Sequence, residues 1–344
     1  MDLSAIISSF AVVVLHTSGS MVSINVNTKS PTAIVAILIN IIFAFGVPMF
    51  FMQSGANILN YRKRYDTVTF FKKRTKKVIV PFVLWSMVGF ILLVLQQNKI
   101  LNFFKLFFGG NMVGPYWFFY TIIGFYLCAP FLSIAIDYGN KKICLYVLAL
   151  SLVVNSILPL FSQILQINNG FNLVFPAIGS FLQWFIAGYY IVHYKVKHIK
   201  IIYGIGMVAL ILEVMFTFLA TFLMLHNPYY DYTFGGLVKN FYDIQNIFAF
   251  LAFSSLFLLL KNCEEKLRSV KFSGAINKLS KYTYGVYLIH PILLMAFVPL
   301  FTRFLNFIPM IIRFIVLPLF VYFISIILTI VIKKIPCIGK VMLP

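Results

Sequence analysis

Apolar residues in this chain come in ten long runs separated by short polar or charged stretches. They fall at approximately 3 to 15, 33 to 59, 78 to 95, 117 to 136, 143 to 161, 174 to 192, 201 to 225, 245 to 260, 282 to 302 and 310 to 332. Most are close to the ~20 residues an α-helix needs to cross a bilayer core. The pattern predicts an all-α fold: a polytopic transmembrane helical bundle of about ten helices, forming one integral membrane domain over residues 1–344 with no soluble appendage. The first run is short and begins almost at Met1, as the apolar core of a signal peptide would. No basic segment precedes it, however, and Thr17-Ser18-Gly19-Ser20 is a weak cleavage site, so it is read as a retained helix. No internal repeat or low-complexity class is visible.

Charge orients the bundle. The loop after the second run carries Arg62, Lys63, Arg64, Lys72, Lys73, Arg74, Lys76 and Lys77, which the positive-inside rule places in the cytoplasm. Every second loop agrees: Lys141 and Lys142; Lys195, Lys197 and Lys200; Lys261, Lys266, Arg268, Lys271, Lys278 and Lys281; Lys333, Lys334 and Lys340. An odd number of helices would break this alternation. Both termini are therefore expected in the cytoplasm. Composition fits the same picture, with 61% hydrophobic residues, 10% charged residues and a mean hydropathy of +0.96, far more apolar surface than a soluble core hides. The net charge of +20 raises the question of nucleic acid, but no basic stretch is attached to anything resembling a nucleic-acid-binding domain, so no nucleic acid is expected. The four cysteines, Cys128, Cys144, Cys263 and Cys337, have neither CxxC nor zinc spacing, look structural, and imply no metal.

A few polar residues interrupt the apolar runs. On this topology His16 sits near the outer end of the first helix; a histidine there is a ready general base, although position alone favours an interfacial residue anchoring a helix end. His290 lies well inside the ninth helix and precedes Pro291, which frees a carbonyl one turn earlier, so the ring either satisfies a kinked helix or takes part in chemistry. Glu213 stands alone in the seventh run, where a carboxylate must be protonated, paired or facing a cavity; His16 and His290 are its candidate partners. The basic loop is explained by topology and anionic lipid, or by a phosphate-binding patch where its last charges meet Pro81. On the outer side, His226 to Tyr232 and Tyr242-Asp243, with Tyr230, Asp231, Tyr232 and Asp243 foremost, are dense in aromatics and hydrogen-bonding groups suited to sugar rings. Tyr116, Trp117 and Tyr120 form a similar group, although an aromatic belt produces such residues too.

In order along the chain, Asp2-Leu3, Val13-Val14-Leu15-His16-Thr17-Ser18, Val47-Pro48-Met49-Phe50-Phe51-Met52-Gln53-Ser54-Gly55, Phe71-Lys72-Lys73-Arg74 to Pro81, Tyr116-Trp117-Phe118-Phe119-Tyr120 with Gly124, Tyr126 and Pro130, and Tyr284-Gly285-Val286-Tyr287-Leu288-Ile289-His290-Pro291 resemble the membrane acyltransferase family 3. These are transmembrane O-acyltransferases that modify bacterial surface glycans. The fourth-helix segment is similar to the acetyltransferases of the enterobacterial common antigen type. His16 matches the family's essential histidine and Asp2 keeps its spacing, but Ala5 stands where the family carries an arginine. The family's Arg-x-x-Arg motif maps onto Arg74 and Lys77, which keeps the charge and loses a bidentate donor.

The resemblance implies a multi-pass enzyme of the bacterial cytoplasmic membrane in polysaccharide biosynthesis. Acetyl-CoA or another acyl-CoA would be the donor, held by Lys73, Arg74 and Lys77, and a glycan or lipid-linked saccharide the acceptor. His16 would act as base, with Asp2, His290 and Glu213 as further catalytic candidates and Trp117, Tyr120, Tyr230, Asp231, Tyr232 and Asp243 as acceptor contacts. A polysaccharide or small-solute transporter fits the same intramembrane Glu213 and His290. A noncatalytic partner of a glycan-synthesis machinery is the third reading.

Overall fold

The structure is a computed structural model that describes residues 1–25, 31–99, 101–165, 179, 181–226, 243–267, 273–304 and 309–344. Among the described residues the regular elements are helical, with no strand. The first expected run is the helix α1 (Asp2–Asn25). The second is two helices, α2 (Pro31–Phe43) and α3 (Gly46–Ile58), broken at Ala44 and Phe45. Pro48 suits the restart, because in the first turn of a helix the missing N–H of proline has no intrahelical partner to lose. The basic loop then folds as α4 (Thr67–Arg74), whose N-cap Asp66 accepts the Val68 and Thr69 N–H groups, followed by a π-helical turn (Thr75–Ile79) that leads into α5 (Val80–Gln97). A short α6 (Phe103–Phe108) precedes α7 (Trp117–Leu152) and α8 (Leu158–Ile164).

Among the described residues, seven stretches are long and apolar enough to cross a membrane. One of them, Gly114–Ser162, has 49 residues and so a helical length of about 74 Å, more than twice a hydrocarbon core. It breaks at Asn140 (φ 54°, ψ −145°), beside Lys141 and Lys142, and accommodates the fourth and fifth expected runs. The remaining helices are α9 (Leu182–His193), α10 (Ile199–His226), α11 (Ile247–Leu267), the surface helix α12 (Ser273–Ser280), α13 (Thr283–Phe304), α14 (Met310–Lys334) and α15 (Ile338–Met342). The chain is thus an all-α, multi-pass helical membrane protein. Large apolar side chains point outward in helical stripes, among them Leu127, Phe131 and Ile134 on α7, Ile201, Ile205 and Val208 on α10, and Ile315, Leu319 and Phe323 on α14, as lipid contact requires.

Helix α1 is central, packed by α2, α3, α11, α12, α13 and α14. Lipid supplies no hydrophobic drive between helices, so close approach depends on small residues. Helices α3 and α9 show it best. A Cβ on Gly55 would lie 1.8 Å from the Phe185 carbonyl oxygen, and one on Gly188 would lie 2.0 Å from that of Met52. Aromatic stacks flank this contact, Phe51 on Phe181 at 4.7 Å and Phe125 on Phe185 at 4.5 Å, each worth ~0.5–1.5 kcal/mol beyond burial. The basic segments are tied together at one end of the bundle. His193 Nε2 meets the Ala56 carbonyl, Lys261 Nζ donates to the Ile191 carbonyl, and Lys333 Nζ donates to that of Lys281.

Candidate functional site

Two histidines far apart in sequence meet in the core. His16 on α1 and His290 on α13 have ring centroids 5.3 Å apart, with His290 Nε2 3.3 Å from His16 Nδ1. His290 is fully buried and its Nδ1 lies 2.8 Å from the Val286 carbonyl, one turn back. The Tyr287 carbonyl, which Pro291 leaves without its helical donor, lies beside the ring. A carbonyl only accepts, so Nδ1 of His290 carries the proton and its Nε2 carries the lone pair of the neutral ring. His16 Nδ1 must then be the donor to that nitrogen, which leaves the lone pair of neutral His16 on Nε2. The Val12 carbonyl, the counterpart on α1 of the Val286 carbonyl, lies beside the His16 ring. His16 is partly buried, and His290 is the sealed member of the pair. The arrangement backs His16 with a neutral acceptor on a buried neighbour.

From the basic end a line of polar side chains leads toward this pair. The Arg74 guanidinium lies 5.5 Å from the Phe70 ring and 5.6 Å from the Tyr126 ring, is hydrogen-bonded to Tyr126, and has Nη2 3.4 Å from the Tyr65 hydroxyl. Its Nε is buried without a hydrogen-bond partner. Tyr284 on α13 is close to both Tyr126 and Tyr287, and its hydroxyl is likewise buried and unpartnered. Tyr284, Tyr287 and His290 follow one another at every third residue of α13, a rise of about 9 Å. Unlike Arg74, Lys73 and Lys77 are surface residues, Lys73 lying 4.1 Å above the Tyr65 ring. The three expected anion-binding residues therefore divide into one that points into the protein and two at its rim.

Glu213 pairs with neither histidine. It is 5% exposed, its Oε1 accepts from Asn246 Nδ2 at 2.9 Å, and its Oε2 is buried without a partner. Asn246 is also the N-cap of α11, its Oδ1 accepting the Ala249 N–H at 2.8 Å. The turn from Asp243 to Asn246 is held further by Gln245, which accepts from the Phe181 N–H, from Ser156 Oγ and from Gln183 Nε2. Asp243 is exposed beside a cavity of about 200 Å³ that includes Asn155, Ser156 and Asn246. On the other side of the same turn is a second cavity, of about 170 Å³, reached by Glu213 and by Leu15, the neighbour of His16.

The structure thus brings His16 and His290 together, leads from Arg74 toward them, and sets Glu213 and Asp243 on either side of one turn. Asp2 opens α1, about 21 Å along the helix axis from His16, too far to share a proton with it. Ala5 lies on the His16 face of α1, three turns below it. Trp117 is 36% exposed and packs 5.4 Å from Phe181, whereas the Tyr120 hydroxyl donates to the Phe107 carbonyl and the Tyr116 hydroxyl to that of Leu288. Tyr230, Asp231 and Tyr232 lie outside the described residues. Sequence reasoning missed Asn246, Gln245, Gln183, Ser156 and Tyr284. Only Asn246 carried a legible signal, an asparagine directly before an apolar run.

A family model described as an acyltransferase domain matches residues 1–333. No curated protein and no solved structure matches the chain.

Proposed function

Because this chain belongs to membrane acyltransferase family 3 and is a multi-pass membrane acyltransferase, we propose that it carries an acyl group from cytoplasmic acyl-CoA to a glycan hydroxyl across the bilayer. The observation that supports this most is the His16–His290 pair. An acyltransferase acting on a hydroxyl needs a base, and the His290 lone pair behind His16 Nδ1 favours the tautomer whose basic nitrogen is Nε2.

His16 takes the acceptor hydroxyl's proton as that oxygen attacks the thioester carbonyl. The tetrahedral intermediate collapses with cleavage of the carbon–sulfur bond, and His16 returns the proton to the departing thiolate. The products are the acylated glycan and free CoA thiol. While His16 is doubly protonated, its Nδ1–H bond to the His290 lone pair becomes charge-assisted, so His290 steadies the intermediate state without itself changing protonation. Arg74, Lys73 and Lys77 hold the donor's phosphates at the basic end, and Tyr126, Tyr284 and Tyr287 line the way for the extended thiol arm. The CoA moiety never crosses. Acetyl is the group we assign to the donor, and a surface or lipid-linked polysaccharide is the acceptor class.

The test is transfer of radiolabelled acetyl from acetyl-CoA to surface glycan in membranes containing the wild-type protein, His16→Ala or Ala5→Arg. Label that falls 10²–10⁴-fold in correctly inserted His16→Ala supports the base, and a rise in Ala5→Arg identifies position 5 with the donor site. Transfer that survives His16→Ala rules the base out. Absence of label in every variant, with substrate flux instead, moves the function to a carrier.

A further inference from the structure

We propose that the cavity of about 170 Å³ beside Glu213 is the acceptor's ring-binding site and holds a single pyranose, with Glu213 taking a hydrogen bond from one of its hydroxyls. This deepens the glycan-acceptor reading above and rests on it.

Four features of the cavity support the assignment. Its walls are Leu15, Ile41, Val47 and Ile244, apolar surfaces suited to the C–H faces of a sugar ring, with Asn40 and Glu213 as polar points among them. An apolar pocket with a few placed polar groups is the general form of a small-ligand site. Its volume is on the scale of one six-membered ring, since a dry cavity of ~150 Å³ holds benzene. The carboxylate is built to receive a donor: Asn246 fixes Oε1, and Oε2 is buried with no hydrogen-bond partner. Buried polar atoms are seldom left so, and a hydroxyl arriving in the cavity supplies what is missing.

The fourth feature is depth. Helices α10 and α11 run antiparallel, with Ser255 bonded to the Ile202 carbonyl near one end and Asn246 bonded to Glu213 further on. Helix α1 lies beside them in the same sense as α10, its Leu3 N–H meeting Glu264 near the end of α11 and its Leu15 sharing the cavity with Ile244. The cavity therefore sits level with His16, one residue away along α1. A ring seated there is at the depth of the base, on the side of α1 reached from the end opposite the basic loops. The donor path along α13 arrives from the other side.

The test uses full-length protein in lipid nanodiscs and a panel of methyl pyranosides (gluco, galacto, manno and N-acetylglucosaminide), measured by equilibrium binding. At least one member is expected to bind the wild-type protein. Glu213→Gln keeps an oxygen for Asn246 and puts an amide donor where Oε2 was, so it should weaken that binding tenfold or more without unfolding the protein. Ala44→Leu, which fills the cavity from α2–α3, should abolish it. Binding by no member of the panel, or unchanged binding in Glu213→Gln, overturns the site. Transfer kinetics separate this from the function itself. Glycan acylation with an acceptor KM indifferent to Glu213→Gln leaves the enzyme standing and removes the site; pyranoside binding that needs Glu213 without any acyl transfer keeps the site and removes the enzyme.

Discussion

Replacing His290 with leucine removes the acceptor behind His16 while keeping an apolar side chain in a fully buried position. In the resting state the loss of this bond is small, because 3.3 Å is the long end of a hydrogen bond. Once His16 takes the acceptor's proton, its Nδ1–H belongs to a cation, and a bond from a charged donor contributes roughly 1.5–3 kcal/mol. At about 1.4 kcal/mol per tenfold, that is roughly a 10–150-fold loss in kcat. The loss should appear in kcat with both KM values nearly unchanged, since the interaction strengthens only as the reaction proceeds. His290→Gln, whose amide oxygen can reach toward His16, should recover a large part of the loss. The assay is steady-state acetyl transfer on purified, monodisperse variants. A His290→Leu enzyme within twofold of wild-type kcat, or a glutamine variant no better than leucine, refutes the positioning role and leaves His290 as a helix-satisfying residue.

Gly188→Ala forces α3 and α9 apart by about 1.4 Å to bring a 2.0 Å contact with the Met52 carbonyl to an ordinary 3.4 Å; the ~1–3 kcal/mol of overpacking should lower the melting temperature of detergent-solubilised protein by several degrees, and an unshifted transition refutes the close approach. Arg74→Lys loses the planar group held between Phe70 and Tyr126 and should raise the donor KM tenfold or more with the acceptor KM unchanged; if Lys73→Gln or Lys77→Gln is the more severe, the donor is anchored at the rim instead. The bonds that Asp66 receives from Thr69 and Val68 hold its carboxyl below the usual carboxylate range. Its support of α4 is therefore complete above the ordinary carboxylate pKa and is lost as pH falls through the lowered one, so protection factors of the Val68 and Thr69 amides should drop in acid, and Asp66→Asn should abolish that pH dependence.

The helices were largely legible because lipid demands long apolar stretches with internally satisfied backbone, and a run such as Ile201 to Leu219 admits no other structure. Two divisions within runs depended on single residues. The break between α2 and α3 was not read from the sequence, where 33 to 59 stands as one run, although Pro48 belongs in a first helical turn; the break after the fourth run falls at Asn140, where Lys141 and Lys142 put a loop. The site was legible only in part. His16 and His290 each stood out as ionisable groups in apolar helices, but their contact joins residues 274 apart and depends on how α1 and α13 pack. Glu213 was noticed for the same reason and given the wrong partner, because its bond to Asn246 is a product of the α10–α11 pairing. Arg74 could not be told from its lysine neighbours by type, since it is the turn of α4 into the π-helical segment that aims it inward while Lys73 and Lys77 stay at the surface.

The central claim is that one base, His16, joins a donor from the basic side to an acceptor from the opposite side. The most direct test is acetyl transfer in proteoliposomes of uniform orientation, with labelled acetyl-CoA on the side of the Lys73–Lys77 segment and glycan acceptor on the other. Labelled glycan that appears only in this arrangement and vanishes in His16→Ala is the predicted result. Equal label when donor and acceptor share either side, or label that persists without His16, contradicts it.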